Sequence, residues 1–277
     1  MRIAYVPGHR ASSEPAPSDL CVPVCDRDVL LRPEPGGGWR LPTLAAVGEY
    51  TDIAPIGTVD GHPVWATAVA SPPAGGGLEL VDWSGCTDQP DAGLTWLTAR
   101  AIAIIRWRRT HRFCGACRTE LADVNFAVGR TCPSCGLFTF AKAQPVALVA
   151  VWRRSPAGRL EVLLARHTYG AKHLWALVGG FADPAESLER AAQREVGEEV
   201  GLRVTDLEYV ESQAWGIDGP DVLLTAFIAR SADPHAEPTV DGAELAEAHF
   251  FPVDDLPTPT PPAHLIAGRL LARLAER

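Results

Sequence analysis

Four of the seven cysteines in the 277-residue chain have the spacing of a metal site. Cys114 and Cys117 form one C-x-x-C pair, and Cys132 and Cys135 form a second pair after 14 intervening residues. Two such pairs can surround one tetrahedral ion, and because no position is then left open, the predicted zinc is structural. Four free buried cysteines or a redox-active dithiol explain two matched pairs less well. The remaining cysteines are interpreted as small apolar residues: Cys21, Cys25 and Cys86.

Three glutamates form the second group of candidate metal ligands. Glu195, Glu198 and Glu199 are spaced i, i+3 and i+4, so a helix would place them on one side. Like charges at this spacing repel each other, and a hard divalent cation such as Mg²⁺ or Mn²⁺ would remove the repulsion. Arg194 stands four residues before Glu198 and could hold a carboxylate in place. A solvated acidic face is the simpler alternative for three glutamates taken alone.

One amphipathic helix must position these glutamates. We predict it from about Asp183 to Val200, with either Asp183 or Ser187 as its N-cap and Gly201 at its end. Strands are predicted on both sides of it, at 146–152, 160–165, 207–210 and 222–229, and a final helix at about 264–274. Strands and helices mixed in this order indicate an α/β layered domain.

The first hundred residues have a different character. Glycine and proline clusters separate short β-like runs at 56–59, 64–69 and 78–81, which predicts a small, mainly β, loop-rich domain. A helical pattern follows from 92 to about 109 and ends in four residues that include Arg106, Arg108 and Arg109. These cations suit a helix C-terminus. An anion site is the alternative.

The complete pattern around the helix resembles a known motif. Gly180-x5-Glu186-x7-Arg194-Glu195-Val196-x-Glu198-Glu199-x-Gly201-Leu202 is similar to the Nudix box at every fixed position. This resemblance implies a Nudix α/β/α sandwich with a metal-binding loop-helix-loop. It also implies hydrolysis of a nucleoside diphosphate linked to another moiety, with Gly180, Glu186 and Arg194 as supporting residues.

Further segments resemble the NADH pyrophosphatase (NudC-like) branch of that family. A zinc ribbon stands just before the Nudix domain, and residues 243–251 are similar to the branch's E-x-x-E-A-x-W-F segment. The expected domains are an N-terminal domain at 1–109, the ribbon at 110–141 and the Nudix domain at 142–277. The branch also implies a homodimer, with Trp215 as a candidate contact across the subunits.

The resemblance carries roles to individual residues. Glu195, Glu198, Glu199 and Glu244 match metal-binding glutamates, with Glu198 or Glu199 activating the attacking water. Glu247 competes with Glu244, and spacing does not separate the two. The implied substrate contacts are the residues Phe140, Phe181, Gln213, Trp215 and Ala267. For Phe140 and Phe181, an ordinary place in the core is the alternative.

One segment departs from the branch. Its signature S-Q-P-W-P-F-P-x-S corresponds here to residues 212–220, where Ser212, Gln213 and Trp215 are kept. The family's three prolines and its phenylalanine are replaced. Because proline fixes φ, this loop is expected to be longer, more flexible and differently shaped. The metal chemistry is expected to be intact and the nicotinamide end of the substrate altered.

These features together predict a function. The leading hypothesis is metal-dependent hydrolysis of NAD(H), or of an NAD-like dinucleotide with a modified nicotinamide, to an NMN(H)-type product and AMP. Removal of an NAD cap from RNA and a non-catalytic nucleotide sensor are the alternatives. The net charge of −9 argues against broad binding of phosphate backbones. The longest apolar run, 146–152, is far shorter than the roughly 20 residues that cross a bilayer, and no signal-peptide pattern begins the chain, so a cytoplasmic protein is predicted.

Overall fold

The protein is described from a computed structural model that covers residues 4–9, 14–73, 77–82, 92–170, 173–215, 221–240 and 242–277. The chain divides into two compact units, of which the first ends at Lys142 and the second begins at Ala143. Cys86, Gly216 to Pro220 and the other positions between these ranges lie outside the described residues.

A mainly β fold forms the first part of unit 1. Its strands pair in the order β1-β5-β6-β2-β3-β4, with β7 beside β3. The runs predicted at 56–59, 64–69 and 78–81 correspond to β5, β6 and β7, whereas β2 and β3 were not predicted. The bounds are β1 Tyr5–Pro7, β2 Leu20–Cys25, β3 Asp28–Pro33, β4 Trp39–Arg40, α1 Leu44–Val47, β5 Asp52–Val59, β6 His62–Ala68, β7 Glu79–Val81 and α2 Ala92–Thr110.

Internal ion pairs account for much of the basic end of α2. Arg108 donates to both carboxylate oxygens of Asp52 at 2.8 Å and to Asp123 at 2.9 Å. Arg130 donates to the other oxygen of Asp123 at 2.8 Å. Asp123 and Arg130 belong to the cysteine-bearing segment, whose three short strands are β8 Ala122–Asp123, β9 Gly129–Thr131 and β10 Phe138–Phe140. Arg108 therefore fastens this segment to the preceding helix and sheet.

Unit 2 contains the predicted glutamate helix. Its elements are β11 Gln144–Arg154, β12 Leu160–His167, β13 Val178–Phe181, α3 Leu188–Val200, β14 Val204–Trp215, β15 Val222–Ser231, β16 Leu245–Pro252 and α4 Ile266–Ala275. Within the described ranges they form a six-stranded sheet in the order β14-β15-β11-β12-β16, with β13 also paired to β11. β11 and β15 are parallel, and the other pairs are antiparallel.

Each face of this sheet is covered by one helix. Successive residues of a strand point to opposite faces, so Ala147, Val149 and Val151 of β11 pack in the cluster that contains α3. Ala150 of the same strand packs in the cluster that contains α4. Both helices bring an apolar stripe to the sheet, and the predicted α/β/α sandwich is confirmed.

The helix α3 is shorter than predicted. It begins at Leu188, because Ser187 has extended backbone angles and its hydroxyl accepts the Arg190 N–H. Ser187 is thus the N-cap, and residues 183–187 precede the helix. Gly201 ends it in the left-handed conformation, as predicted. None of the helices in the described part of the chain is long and apolar enough to cross a membrane.

Candidate active site

The three helix glutamates differ in exposure although they share one side of α3. Glu199 is buried, and among the described residues it is the only acidic side chain that is. Glu195 has 13% of its side chain exposed, whereas Glu198 has 61% exposed. Burying a carboxylate is costly, so the placement of Glu199 beside the apolar stripe of the helix is not that of a merely solvated acidic face.

Arg194 organises carboxylates before the helix and in its second half. It donates two hydrogen bonds to Glu186, at 3.0 and 2.8 Å, in the bidentate geometry that suits a guanidinium. It also donates to Glu195 at 2.8 Å, to Glu198 at 3.0 Å and to the Phe181 carbonyl at 2.8 Å. The prediction that Arg194 holds a carboxylate in place is confirmed, and part of the expected repulsion between the glutamates is offset by this one cation.

Gly180 lies directly beneath the Glu195 carboxylate. A Cβ atom at this position would stand 2.1 Å from the Glu195 carboxyl carbon and 2.3 and 2.4 Å from its oxygens. Gly180 belongs to β13, where it pairs with Ala147 of β11. Because Gly180 has no side chain, the Glu195 carboxylate can pack directly against strand β13.

The pKa values reflect this setting. Burial raises the pKa of Glu195, with the charges of Glu198 and Glu244 acting in the same direction and Arg194 acting against them. Hydrogen bonds from Arg194 and from the Asp183 N–H lower the pKa of Glu186 to about 2. The two carboxyls next to Arg194 are thus driven in opposite directions. Glu186 remains an anion that fixes the arginine.

Glu244 and Glu247 occupy different surroundings. Glu247 lies on β16 opposite Arg166 of β12 and forms an ion pair with it. It also lies 3.4 Å from His249. Glu244 precedes β16, and its charge acts on Glu195, on His167 and on Tyr169. The charge of Glu244 therefore acts on a glutamate of the helix, whereas Glu247 forms an ion pair between strands β12 and β16.

The segment His167-Thr168-Tyr169 stands beside Glu244 and was not found from the sequence. The Thr168 hydroxyl donates to the Ala243 carbonyl at 2.7 Å, and the Thr168 N–H donates to the Glu244 carbonyl at 2.9 Å. The His167 and Tyr169 rings are 5.2 Å apart. Burial raises the pKa of Tyr169, and so do the charges of Glu244, Glu199 and Glu195. The segment is positioned by hydrogen bonds to residues about 75 positions later in the chain. No local sequence motif therefore marks it.

The four paired cysteines converge in unit 1. Their ligand atoms lie within 4.8 Å of one another, and within the described chain they are the only His, Cys, Asp or Glu group that does so. The Sγ atoms of Cys117 and Cys132 are 3.4 Å apart, and those of Cys114 and Cys135 are 3.6 Å apart. Arg118 and Gly136, each directly after a pair, both have positive φ. Two matching turns thus bring four thiols to one point that could hold a tetrahedral ion.

The predicted substrate contacts lie in both units. Phe140 lies in unit 1 and Phe181 in unit 2, and about half of each side chain is exposed. The amide oxygen of Gln213 accepts the Ile266 N–H at 2.8 Å, so this residue caps the first turn of α4. Ala267 lies in that same turn, where backbone N–H groups have no partner within the helix. A substrate contact for these residues stays a prediction.

Part of the altered signature lies in a strand. Residues 212–215 continue strand β14, and Ser212, Gln213, Ala214 and Trp215 pair with residues 225, 224, 223 and 222 of β15. These four residues therefore belong to the strand, and their side chains alternate between the faces of the sheet. The expectation of a longer, more flexible and differently shaped loop concerns positions outside the described residues. The replaced prolines after Trp215 fall outside the described residues.

The chain is similar to known proteins over most of its length. A family model described as "NUDIX domain" matches residues 143–274. A protein named NAD-capped RNA hydrolase NudC from Deinococcus radiodurans is 34% identical over 232 residues, which are 84% of this chain and 80% of that protein. A protein of the same name from Escherichia coli O1:K1 / APEC is 33% identical over 217 residues, 78% of each chain. A solved Nudix domain of Shewanella oneidensis NrtR, complexed with ADP ribose, has 20% identity and a TM-score of 0.42, over 49% of this chain and 88% of that one.

Proposed function

Because the chain belongs to the NudC family of Nudix hydrolases, we propose that it hydrolyses the pyrophosphate bond of NAD(H) or of an NAD-like dinucleotide. The products are an NMN(H)-type mononucleotide and AMP. The observation that carries this proposal is the arrangement of three glutamates on the helix α3, which also carries the cation of Arg194. Glu199 is buried, Glu195 is nearly buried and Glu198 is exposed.

The residues present fit the divalent cation that the family implies. Carboxylate oxygens are the ligands that Mg²⁺ and Mn²⁺ prefer, and a cation would stabilise the charged forms of the buried Glu199 and the nearly buried Glu195. Glu195, Glu198, Glu199 and Glu244 are the residues that would hold it. A bound divalent ion neutralises pyrophosphate charge and lowers the pKa of a water molecule.

The chain's own residues divide the remaining work. Glu198 reaches solvent and is the better placed of the two candidate bases to take a proton from the attacking water, while the buried Glu199 is the better placed to hold charge at the base of the site. Gly180, Glu186 and Arg194 keep these carboxylates in position. The Ala267 N–H in the first turn of α4, next to the Ile266 N–H that already donates to Gln213, is the proposed donor to a phosphate oxygen.

We propose that the nicotinamide end of the dinucleotide substrate carries a modified nicotinamide. This finer proposal rests on the replaced signature after Trp215, which in the branch helps to form the nicotinamide pocket. Phe181, Gln213 and Trp215 are the proposed contacts on this side of the substrate.

Product analysis by mass tests the proposal. We expect the protein with Mg²⁺ or Mn²⁺ to convert members of a panel of NADH, NAD, ADP-ribose and nicotinamide-modified dinucleotides into two mononucleotides. Glu198→Gln should lower kcat by about 10²- to 10⁴-fold, and Glu189→Gln, an exposed glutamate in the same helix, should not. No hydrolysis of any compound, or an unaffected Glu198→Gln variant, overturns the reaction. Equal or better turnover of plain NADH overturns the modified nicotinamide alone.

NAD-capped RNA is a second candidate substrate. The names of the relatives from Deinococcus radiodurans and Escherichia coli favour it, whereas the charge of −9 opposes association with a polyanion. Comparing the release of the cap from an NAD-capped oligonucleotide with the hydrolysis of free NAD distinguishes the two substrates.

Three further features complete the proposal. The four cysteines Cys114, Cys117, Cys132 and Cys135 hold a structural Zn²⁺, which is consistent with their converging thiols. The protein is proposed to act as a homodimer, with Trp215 near the subunit contact, and in the cytoplasm.

A further inference from the structure

We propose that a cavity in unit 1 binds the phosphate group of a small molecule. The cavity is lined by the end of β2, the start of β5, the end of β6, the C-terminal end of α2 and the cysteine-bearing segment. Its volume of about 450 Å³ lies in the range of pockets that hold small ligands. We call it the arginine cavity, after the five arginines in its lining: Arg106, Arg108, Arg109, Arg112 and Arg130.

The arginine cavity carries an excess of positive charge. Three acidic residues, Asp26, Asp52 and Glu120, line it together with the five arginines, so five positive charges against three negative ones leave an excess of two. Asp123, outside the lining, binds two of the arginines, and counting it reduces the excess to one. Because the whole chain has a net charge of −9, the cavity favours an anion in a protein whose overall charge opposes one.

Two of the arginines are held in place and keep unused donors. The Arg108 and Arg130 side chains are only 12% and 11% exposed. Arg108 donates to Asp52 and Asp123 through Nε and Nη2. Arg130 donates to Asp123 through Nε and to two backbone carbonyls through Nη1. A guanidinium has five N–H donors, and no residue in the described part of the chain accepts from Nη1 of Arg108 or Nη2 of Arg130. Neither nitrogen is a buried atom without a partner, so both are accessible to a ligand.

The end of helix α2 opposes an anion less than a free helix end would. The last carbonyls of a helix carry partial negative charge. Here the carbonyls of Arg106 and Trp107 accept from the Thr110 hydroxyl. The carbonyl of Arg108 accepts from Nη1 of Arg130. Part of the negative charge at this end is therefore already offset by donors of the chain itself.

Arg109 and Arg112 are more exposed and more weakly held. Their side chains are 58% and 60% exposed, with ion pairs at 3.2 Å to Asp26 and at 3.4 Å to Glu120. An exposed ion pair of this kind contributes little. Either side chain therefore turns toward a phosphate at little cost.

The apolar part of the lining suits the body of an organic phosphate. Val24, Val69, Ile105 and Leu121 line the cavity beside the arginines, and ligand pockets combine such a wall with a few fixed polar groups. A mononucleotide would use both parts of the lining, whereas inorganic phosphate would use the arginines alone. The phosphate group is common to both ligands.

The affinities for inorganic phosphate and for AMP test the proposal. Calorimetry of the full chain is carried out without added Mg²⁺ or Mn²⁺, so that the glutamates of α3 repel both anions. Arg109→Gln combined with Arg112→Gln leaves three arginines against three acids in the lining and should raise the Kd of phosphate at least about 10-fold. Arg159→Gln combined with Arg230→Gln is the matched control, since these two arginines of unit 2 are 53% and 47% exposed and each is paired with an aspartate.

Thr51→Glu is a second test that leaves every arginine in place. Thr51 is an exposed residue of the lining, and the added carboxylate should weaken phosphate binding by a similar factor. Thr51→Gln adds a side chain of the same length without the charge, and it should bind phosphate more tightly than Thr51→Glu.

The outcomes do not depend on any hydrolytic activity. Loss of phosphate affinity in the combined Arg109 and Arg112 variant and in Thr51→Glu, but not in the control, supports the arginine cavity. An equal loss in the control, unchanged affinity in both cavity variants, or a wild-type protein that binds no phosphate at about 10 mM overturns it. If the site is supported, tighter binding of AMP than of phosphate, lost in the same variants, assigns a mononucleotide as the ligand, and equal affinities assign free phosphate.

Discussion

At the scale of single residues, the contrast between two glycines describes how tightly the site is built. Gly180 and Gly197 lie on either side of Glu195 in the sequence. A Cβ on Gly180 would overlap the Glu195 carboxylate, whereas a Cβ on Gly197 would have its nearest neighbour at 3.9 Å. One glycine is required by a side chain above it, and the other only weakens a helix.

The two glycine-to-alanine variants should therefore behave differently. Gly180→Ala should displace Glu195 and lower kcat/KM by about 100-fold, the effect expected when a positioned group moves by about 1 Å. Gly197→Ala should stabilise the protein by about 1 kcal/mol, because alanine is favoured over glycine inside a helix. Steady-state kinetics and urea unfolding of both variants provide the check. Full activity of Gly180→Ala would contradict the packing argument.

The pair Glu186–Arg194 should contribute to stability in a defined acidic range. Because Arg194 lowers the pKa of Glu186 from 4.5 to about 2, the unfolded chain binds a proton more readily than the folded chain. The stabilisation is complete above about pH 4.5 and is lost as the pH falls toward 2. Glu195, whose pKa is raised, contributes in the opposite sense.

Removing the carboxylate should remove this pH dependence. Glu186→Gln is expected to be less stable than the wild type at pH 7 and to lose less stability between pH 4.5 and 2. Thermal unfolding at intervals across this range measures the difference, with Glu189→Gln as the control in the first turn of the same helix. An unchanged acid profile in Glu186→Gln would argue against the ion pair.

At the scale of elements, periodic segments were predicted well and irregular ones were not. The helix α3 and strands β11, β12 and β15 follow from hydrophobic spacing. Strand β13 was missed because two of its four residues are glycines, and Gly179 lies against the Ala147 carbonyl, where a Cβ would be 2.4 Å away. Its glycines are explained by close approach, which only the folded chain reveals.

The same division applies to the site. The helix glutamates and the cysteine pairs could be predicted because their spacing is local. The proposal of Glu244 rather than Glu247 as a metal ligand needed the strand pairing that brings Arg166 to Glu247. The segment at Tyr169 depends on contacts with residues far along the chain, and no local pattern carries that information.

The cysteine-bearing segment should depend on a metal ion. Its three strands are two or three residues long, and its buried apolar cluster contains only Leu121 besides Cys114 and Cys132. So small a core is insufficient without a metal. We expect about one zinc per chain by elemental analysis and a lower content in Cys135→Ser. Cys25→Ser, which changes a cysteine outside the cluster, should retain the metal. Equal metal content in the two variants would contradict the assignment.

At the scale of the whole molecule, the net charge makes the two candidate substrates distinguishable by salt. A chain of charge −9 repels a capped RNA more than a free dinucleotide, and added salt screens that repulsion. The ratio of kcat/KM for capped RNA to that for free NAD should therefore rise between about 50 and 200 mM salt. A steep fall of this ratio would instead indicate that a local cationic surface binds the RNA backbone.

The parallel pairing of β11 with β15 has a consequence for the order in which the protein can be made. β15 ends at Ser231, and Glu244 follows it, so both come after the whole of α3 in the chain. A polypeptide leaving the ribosome therefore exposes the complete glutamate helix while the central strand beside β11 is still missing. Pairing across such a separation is slow. We expect the enzyme to acquire its metal only near the end of synthesis, after the sheet has closed.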